Sequence, residues 1–418
     1  MATKQLIRTA ALAALLLAAA ACIYPYEVDI ASGGELPLVV EGDIHIGGST
    51  TVTLSHVRPF DDEAAAYTPV YARGYIEGED GTRVEELYSS SNPGGGGYIG
   101  SRYDLSSSYG SASNTLYFDT SALSPNQRYR LHFDTLTQEG TVLNSYESEW
   151  LETCLPPTID KLSYSHHPEF EELWIGLSMH CNGSHYFRWT FSETWEYHSD
   201  IPTDLRFDPN TRTMGYYRPD PTLYYCWNSA NSSKINIFST VNQTEDRFEE
   251  LAFHTIKLND KRLQIMYKIT VRLEAMSENA YNYWYNMQQN TEGQGSIFAP
   301  TPSEMASNVH CITDPDIQVM GYLNSASQAE ASMYYDNYAN QFFKAGKAYE
   351  RFDQKVDASR PDSLAYWYRN GYLPYQELFE NEMSDKPTHY MWATSICIDC
   401  RQQGGTKVKP AGWPTDHK

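Results

Sequence analysis

Short runs of alternating hydrophobic and polar residues, separated by turn residues, fill the first third of the chain after Leu36. The predicted strands are Leu38–Ile46, Thr50–Val57, Tyr71–Glu77, Arg83–Tyr88, Leu116–Asp119, Tyr129–Thr135 and Val142–Trp150. Gly47-Gly48, Asp80-Gly81 and Glu139-Gly140 separate neighbouring runs and favour hairpins. About seven short strands at regular spacing predict a β-sandwich, and the Ser124–Leu131 run is typical of the tyrosine entry to a late strand of immunoglobulin-like domains.

The longest alternating run in the chain lies at Arg262–Glu274, where Leu, Ile, Tyr and Val alternate with polar residues. Strict period two over a dozen residues predicts a long strand with one buried face. Ser277 is placed to cap a helix that continues to about Asn290 and ends at Gly293. Two further strands are predicted at Leu173–Met179 and Tyr186–Glu193.

A strand followed by a helix indicates an α+β arrangement for the later part of the chain. The prolines of Leu155-Pro156-Pro157 interrupt the strand pattern, and we take them as a domain boundary. We therefore predict a mainly β protein, with an immunoglobulin-like β-sandwich over residues 36–155 and a mixed α+β domain over residues 156–418.

The N-terminus has a different pattern. Lys4 and Arg8 precede an apolar run, Ala10–Ala21, which is too short for a bilayer core that takes about 20 residues. Small residues then stand directly before Cys22, an arrangement similar to the lipobox of bacterial lipoproteins. We predict a signal peptide over residues 1–21, lipidation of Cys22 and a tether over residues 22–35. The alternative is an ordinary signal peptide that leaves Cys22 as a thiol.

The charge of the chain agrees with an exported lipoprotein. The full sequence has a formal net charge of −22, and without the signal peptide 29 basic residues face 53 acidic ones. Such a negative field repels nucleic acid and anionic lipid head groups. We therefore expect no nucleic-acid role, and attachment to the membrane through the lipid.

Six cysteines remain after Cys22, and an even number in an exported chain indicates up to three disulfides. They are Cys154, Cys181, Cys226, Cys311, Cys397 and Cys400, and fifteen pairings stay open. Cys397 and Cys400 form a C-x-x-C motif, for which a structural disulfide, internal or to another cysteine, is favoured over redox activity. His180–His185 contains imidazoles and a thiol at metal-ligand spacing, but too few ligands for a zinc framework, so we predict no metal.

Aromatic clusters are the candidate binding surfaces. They comprise Tyr216-Tyr217, Tyr224-Tyr225, Tyr334-Tyr335 with Tyr338, and Tyr366-Trp367-Tyr368. Such side chains can stack on sugars or anchor a protein interface. Adjacent residues of a strand face opposite ways, so about half of these rings should belong to the core.

No catalytic motif was found. The chain has no G-x-S-x-G, H-E-x-x-H or P-loop sequence, and no G-x-G-x-x-G follows a strand. The acidic pairs Glu171-Glu172 and Glu249-Glu250 would serve glycosidase chemistry only if folding brought the right carboxylates together. We therefore predict no enzymatic activity and no cofactor.

Several motifs together resemble a family of Bacteroidota lipoproteins known as domain of unknown function 4249. The motifs are Leu38–Gly42, Pro156–Asp160, Cys226-Trp227, Glu278–Trp284, Gly295–Ser303, Val319–Leu323 and Cys397–Trp413. The resemblance implies an outer-membrane lipoprotein, lipid-anchored and exposed at the cell surface, that assists a TonB-dependent transporter or captures its substrate. The alternatives are a surface hydrolase of glycans or peptides, and a structural lipoprotein of the envelope.

Overall fold

The computed structural model describes residues 36–57, 70–89, 99–101, 114–217, 223–292, 307–344 and 349–414. The predicted signal peptide, Cys22, the tether, Gly293 and the Gly295–Ser303 motif lie outside these residues. Strands greatly outnumber helices in the described chain, which confirms the prediction of a mainly β protein.

The first strands follow the predicted order closely. They are β1 Leu38–His45, β2 Ser49–His56, β3 Tyr71–Gly78, β4 Arg83–Ser89, β5 Ile99–Ser101, β6 Thr115–Asp119, β7 Arg128–Leu136, β8 Val142–Ser148 and β9 Leu151–Glu152. The three predicted hairpins are present, since β1 pairs with β2, β3 with β4, and β7 with β8, all antiparallel.

These strands enclose one hydrophobic core. Strand β4 hydrogen-bonds β6 on one side and β3 on the other, so it joins two groups of strands. Val40 and Leu54 from one group pack with Leu131 and Phe133 from the other, all fully buried. Full burial of each large apolar side chain stabilises the fold by about 1.5–3 kcal/mol.

The predicted tyrosine corner is also present. Tyr129 is buried at the start of β7, its hydroxyl donates to the carbonyl of Ser124 at 3.1 Å, and it accepts from the amide of Ser124 at 2.9 Å. The ring thereby fixes the turn that leads into the strand.

The remaining strands belong to the later part of the chain. They are β10 Thr158–His167, β11 Glu172–His180, β12 Tyr186–His198, β13 Leu205–Asp208, β14 Thr213–Tyr216, β15 Tyr225–Asn231, β16 Asn236–Ser239, β17 Arg247–Lys257, β18 Met266–Ala275, β19 Val309–Cys311, β20 Val319–Met320, β21 Leu323–Asp336, β22 Gln354–Asp357, β23 Tyr372–Leu378 and β24 His389–Thr394. The helices are α1 Glu278–Glu292, α2 Asn337–Asn340, α3 Pro361–Arg369 and α4 Ser395–Ile398, with 3₁₀ turns at Lys261–Leu263 and Cys400–Gln403.

Strand β21 joins the two parts of the chain. Its first residues, 323–326, run parallel to β1, with Gly42 opposite Leu323, and its later residues, 327–336, run antiparallel to β18. In the described residues the largest sheet therefore has 16 strands, and its main path runs from β15 through β12, β18, β21 and β1 to β19. The boundary predicted at Leu155-Pro156-Pro157 falls between β9 and β10.

A glycine allows the chain to approach β1 just before β21 begins. Gly321 has a φ of +91°, and a Cβ atom there would lie 2.1 Å from the carbonyl oxygen of Val40. Any larger residue would push the two segments apart.

The predicted long strand begins later than expected. The alternating run was predicted to start at Arg262, but β18 starts at Met266, because Asp260 caps a 3₁₀ turn over Lys261–Leu263. The predicted buried face is present, since Tyr267, Ile269, Val271 and Leu273 are fully buried.

The helix after β18 has the predicted cap. Ser277 precedes α1, its hydroxyl accepts from the amide of Ala280 at 3.3 Å, and its carbonyl accepts from the amide of Tyr281. Ala280 is fully buried against the sheet, as the pattern predicted.

Candidate binding cleft

Two neighbouring strands, β12 and β15, form the floor of an open cleft. In their antiparallel register Glu193 lies opposite Ala230, and Trp195 lies opposite Asn228. Because alternate residues of a strand face the same side, these four side chains and Tyr197 share one surface. All five line the cleft.

The rim of the cleft comes from two distant segments. Asp260 accepts a hydrogen bond from the backbone amide of Arg262 at 2.9 Å, and the resulting 3₁₀ turn presents Lys261 and Arg262. Tyr349 and Gln403 complete the rim beside Lys261. The cleft has a volume of about 390 Å³, within the range of about 300–1,000 Å³ that small-molecule sites occupy.

Glu193 is held by three side chains at the base of the cleft. Arg262 Nη1 donates to both of its carboxylate oxygens at 2.8 and 3.0 Å, Tyr267 donates to Oε1 at 2.7 Å, and His254 Nε2 lies 3.0 Å from the same oxygen. The side chain of Glu193 is only 6% exposed. Burial alone would raise the pKa of Glu193, but the hydrogen bonds from His254 and Tyr267 and the charge of Arg262 hold it below its ordinary value.

Arg262 links the two carboxylates of the cleft. Its Nε and Nη2 atoms donate to Asp260 Oδ2 at 3.1 and 2.9 Å, while Nη1 binds Glu193. Each acid is therefore ion-paired with the same guanidinium group. These charge-assisted contacts with two carboxylates fix the orientation of the planar guanidinium group.

Lys261 is held at the rim. Its Nζ donates to Gln403 Oε1 at 2.6 Å, lies 3.6 Å from Asp200 Oδ1, and stands 4.7 Å from the centre of the Tyr349 ring. Burial lowers the pKa of Lys261, and the carboxylate of Asp200 opposes that change. The lysine thus joins the two sides of the rim.

The C-terminal segment is fastened to the cleft floor. A disulfide joins Cys226 on β15 to Cys400, and the backbones of Trp227 and Thr406 exchange hydrogen bonds at 2.9 and 2.8 Å. Tyr197 on β12 donates to the carbonyl of Cys400 at 2.8 Å. These contacts position Gln403, which lies between the two fastened points.

The segment lies so close to the strands that one position requires glycine. A Cβ atom on Gly405 would lie 2.3 Å from the Tyr197 hydroxyl and 2.9 Å from Cys226 Cβ. Burial raises the pKa of Tyr197 to about 12.

A second buried polar cluster lies where the two parts of the chain meet. Arg188 on β12 contacts Glu274 Oε2 on β18 at 2.7 Å and Asp43 Oδ2 on β1 at 2.5 Å. The ring of Trp284 on α1 covers the guanidinium group at 4.5 Å. These contacts join strands of both parts to the helix that carries the Glu278–Trp284 motif.

Three of the predicted aromatic clusters contain an exposed ring beside a buried or half-buried one. Tyr334 is 40% exposed while its neighbour Tyr335 is fully buried, and Tyr216 is 46% exposed while Tyr217 is half-buried. On α3, Tyr366 is 55% exposed and Trp367 packs against the core. None of these predicted residues lines the cleft described above.

The cysteines form one disulfide in the described residues. Cys226 and Cys400 pair across 174 residues, and the Cys400 bond therefore goes to another cysteine rather than to Cys397. Cys154, Cys181, Cys311 and Cys397 are free thiols.

The other candidate residues contact neighbouring side chains of opposite type in ion pairs. His180 lies 3.3 Å from Asp160, Glu171 pairs with Lys344 at 3.0 Å, and Glu172 pairs with Lys257 at 2.8 Å. Among the residues that the structure describes, no three His, Cys, Asp or Glu side chains are grouped to hold a metal ion.

The fold and the cleft define a mainly β protein with a large, mostly antiparallel sheet that carries an open polar cleft near its β15 edge. The chain belongs to the family described as Domain of unknown function (DUF4249), whose model matches residues 23–332. The predicted resemblance at Cys397–Trp413 lies beyond the matched residues and stays a prediction. No curated protein matches the chain. Within the described part of the chain, no helix has both the length and the apolar character needed to cross a membrane.

Proposed function

We propose that the protein is a lipid-anchored, non-enzymatic lipoprotein of the outer membrane that captures a ligand for a TonB-dependent transporter. The proposal of a binding function rests on the cleft, whose charged groups are already paired with one another. A site of this kind offers fixed hydrogen-bonding groups and aromatic faces, which suit binding. The family match agrees with the predicted resemblance, from which the transporter association is taken.

The electrostatics of the cleft favour binding over hydrolysis. Two carboxylates, Glu193 and Asp260, line the same cleft, as a glycan or peptide hydrolase would need. However, both are bound to Arg262, and the pKa of Glu193 is lowered rather than raised. A general acid needs a raised pKa to hold its proton at neutral pH.

The proposed anchor is the lipid on Cys22. The mature chain is strongly acidic, so its charge does not draw it to an anionic membrane surface. Each buried methylene of an acyl chain contributes about 0.8 kcal/mol, and several chains together give stable attachment. We also propose that the anchored protein is exposed at the cell surface.

Co-purification from gently solubilised membranes tests the proposal. We expect the affinity-tagged protein to bring down an outer-membrane barrel, and the Cys22→Ser variant to be released as a folded, soluble protein that brings down none. Protease treatment of whole cells should degrade the lipidated form. Recovery of the lipidated protein alone, or only with peptidoglycan or another lipoprotein, would contradict the transporter role and favour a structural one.

A further inference from the structure

The pairing of charges in the cleft limits the ligands that it can accept. Arg262 is engaged by Glu193 and Asp260, and Lys261 is engaged by Gln403 and Asp200. An anionic ligand would have to displace a carboxylate from its cation, and a cationic ligand would have to displace a cation from its carboxylate. An uncharged ligand leaves these pairs intact.

The cleft also offers aromatic faces. Trp195 lies in the floor, and Tyr349, which is 38% exposed, stands at the rim with Lys261 against its ring. Aromatic rings stack on flat, partly apolar faces, and a sugar ring presents such a face through its C–H groups. A purely polar ligand without an apolar face would leave these rings uncovered.

The amide of Asn228 and the guanidinium group of Arg262 also line the cleft and can supply hydrogen bonds. Asn228 uses its oxygen to accept from the amide of Ser229 at 2.8 Å, and this contact orients its side-chain amide, which lines the cleft. Arg262 retains a donor hydrogen on Nη2, because that atom makes one bond, to Asp260. Donors fixed by neighbouring contacts suit the hydroxyl groups of a ligand, which accept and donate equally well.

We propose that the cleft binds an uncharged, hydroxyl-rich ligand, a neutral mono- or disaccharide or the end of a neutral glycan. This inference rests on the proposed capture function and names its substrate class. The volume of about 390 Å³ has room for one or two sugar units.

Ligand-observed NMR and calorimetry on the full mature chain carrying Cys22→Ser test this inference. The probes are glucose, galactose, mannose, N-acetylglucosamine, maltose and cellobiose, with galacturonic acid and glycyl-glycine as charged comparisons. We expect at least one neutral sugar to bind, and Tyr349→Ala and Asn228→Ala each to weaken that binding at least tenfold. Tyr366→Ala, the same change at an exposed tyrosine outside the cleft, should leave it unchanged.

Three outcomes would overturn the inference: no binding of any neutral sugar, tighter binding of galacturonic acid or glycyl-glycine, or sugar binding that both cleft variants retain. Circular dichroism of each variant separates loss of binding from loss of fold. A chain that binds no sugar but still co-purifies with a barrel would leave the capture function standing and remove only the ligand class.

Discussion

Replacing Glu274 by glutamine removes a titratable carboxyl group from a buried cluster and keeps its shape. Arg188 supplies the positive charge, and two carboxylates, Glu274 and Asp43, bind it. Both hydrogen bonds from Arg188 to Glu274, at 2.9 and 2.7 Å, end on the same oxygen. The amide oxygen of a glutamine can accept both, so Glu274→Gln removes the titration of this side chain and keeps its contacts with Arg188.

The expected effect follows from the pKa of Glu274. Burial raises this pKa, and the charge of Asp43 adds to the rise, whereas Arg188 and the charge of His45 oppose it. Above pH 4.5, the ordinary value for glutamate, the folded protein therefore keeps a proton that the unfolded chain has lost. The stabilising contribution is complete below that pH, and it falls by up to about 1.4 kcal/mol for each pH unit until Glu274 ionises in the folded state.

Urea denaturation of the mature Cys22→Ser chain between pH 4.5 and 8 measures this effect. The free energy of unfolding of Glu274→Gln should rise relative to that of the wild-type residue as the pH increases, and then level off. Glu330→Gln is the matched control on the adjacent strand, because Glu330 forms an exposed pair with Arg272 at 2.8 Å that is worth less than about 1 kcal/mol. Parallel curves for Glu274→Gln and the wild-type residue would refute the reasoning.

Two further predictions concern the corner and the disulfide. Tyr129→Phe removes two hydrogen bonds to Ser124 and should lower the free energy of unfolding by about 2 kcal/mol in urea; Tyr117→Phe, at an exposed ring, is the control and should change it by less than about 0.5 kcal/mol. Replacing both Cys226 and Cys400 by serine opens a loop of 174 residues and should cost up to about 5 kcal/mol. A reducing agent should lower the urea midpoint of the parent chain but not of this double variant, and an equal drop in both would contradict the prediction.

The parts of the fold that could be predicted are those that depend on nearby residues. The hairpin turns contain glycines in the left-handed region, such as Gly47 and Gly81, and the flanking runs alternate with period two. Ser277 caps α1 through contacts within four residues. Because these signals are local, the sequence carries them without any knowledge of the tertiary structure.

Strand β21 was not predicted, although its sequence alternates. Its buried positions include Ala326 rather than large β-branched residues, and alanine favours helices and is depleted in strands. The strand forms because β1 pairs with its first four residues, 323–326, and β18 pairs with the rest, 327–336. Tertiary pairing therefore decides its structure against its local preference.

The cleft could not be predicted because its residues come from distant segments, but β12 contains a signal for it. Arg188, Glu193 and Glu196 interrupt a strand that is otherwise rich in aromatic residues, and all three are buried in the structure. Charged residues on both faces of an aromatic strand require buried partners. For Glu193 that partner is Arg262, which the alternating pattern had assigned to the strand rather than to a turn.

For the C-x-x-C motif, a structural disulfide could be predicted from nearby residues, but the partner cysteine and the role of the bond in the cleft could not. A structural disulfide, internal or to another cysteine, was favoured for the motif because no redox setting surrounds it, but only the fold reveals that Cys400 pairs with Cys226 on β15, a strand of the cleft floor. The bond therefore does more than constrain the unfolded chain, because it also holds Gln403 against Lys261 at the rim. If the cleft binds a ligand, loss of this disulfide should weaken binding as well as stability, whereas an unrelated structural disulfide would affect stability alone.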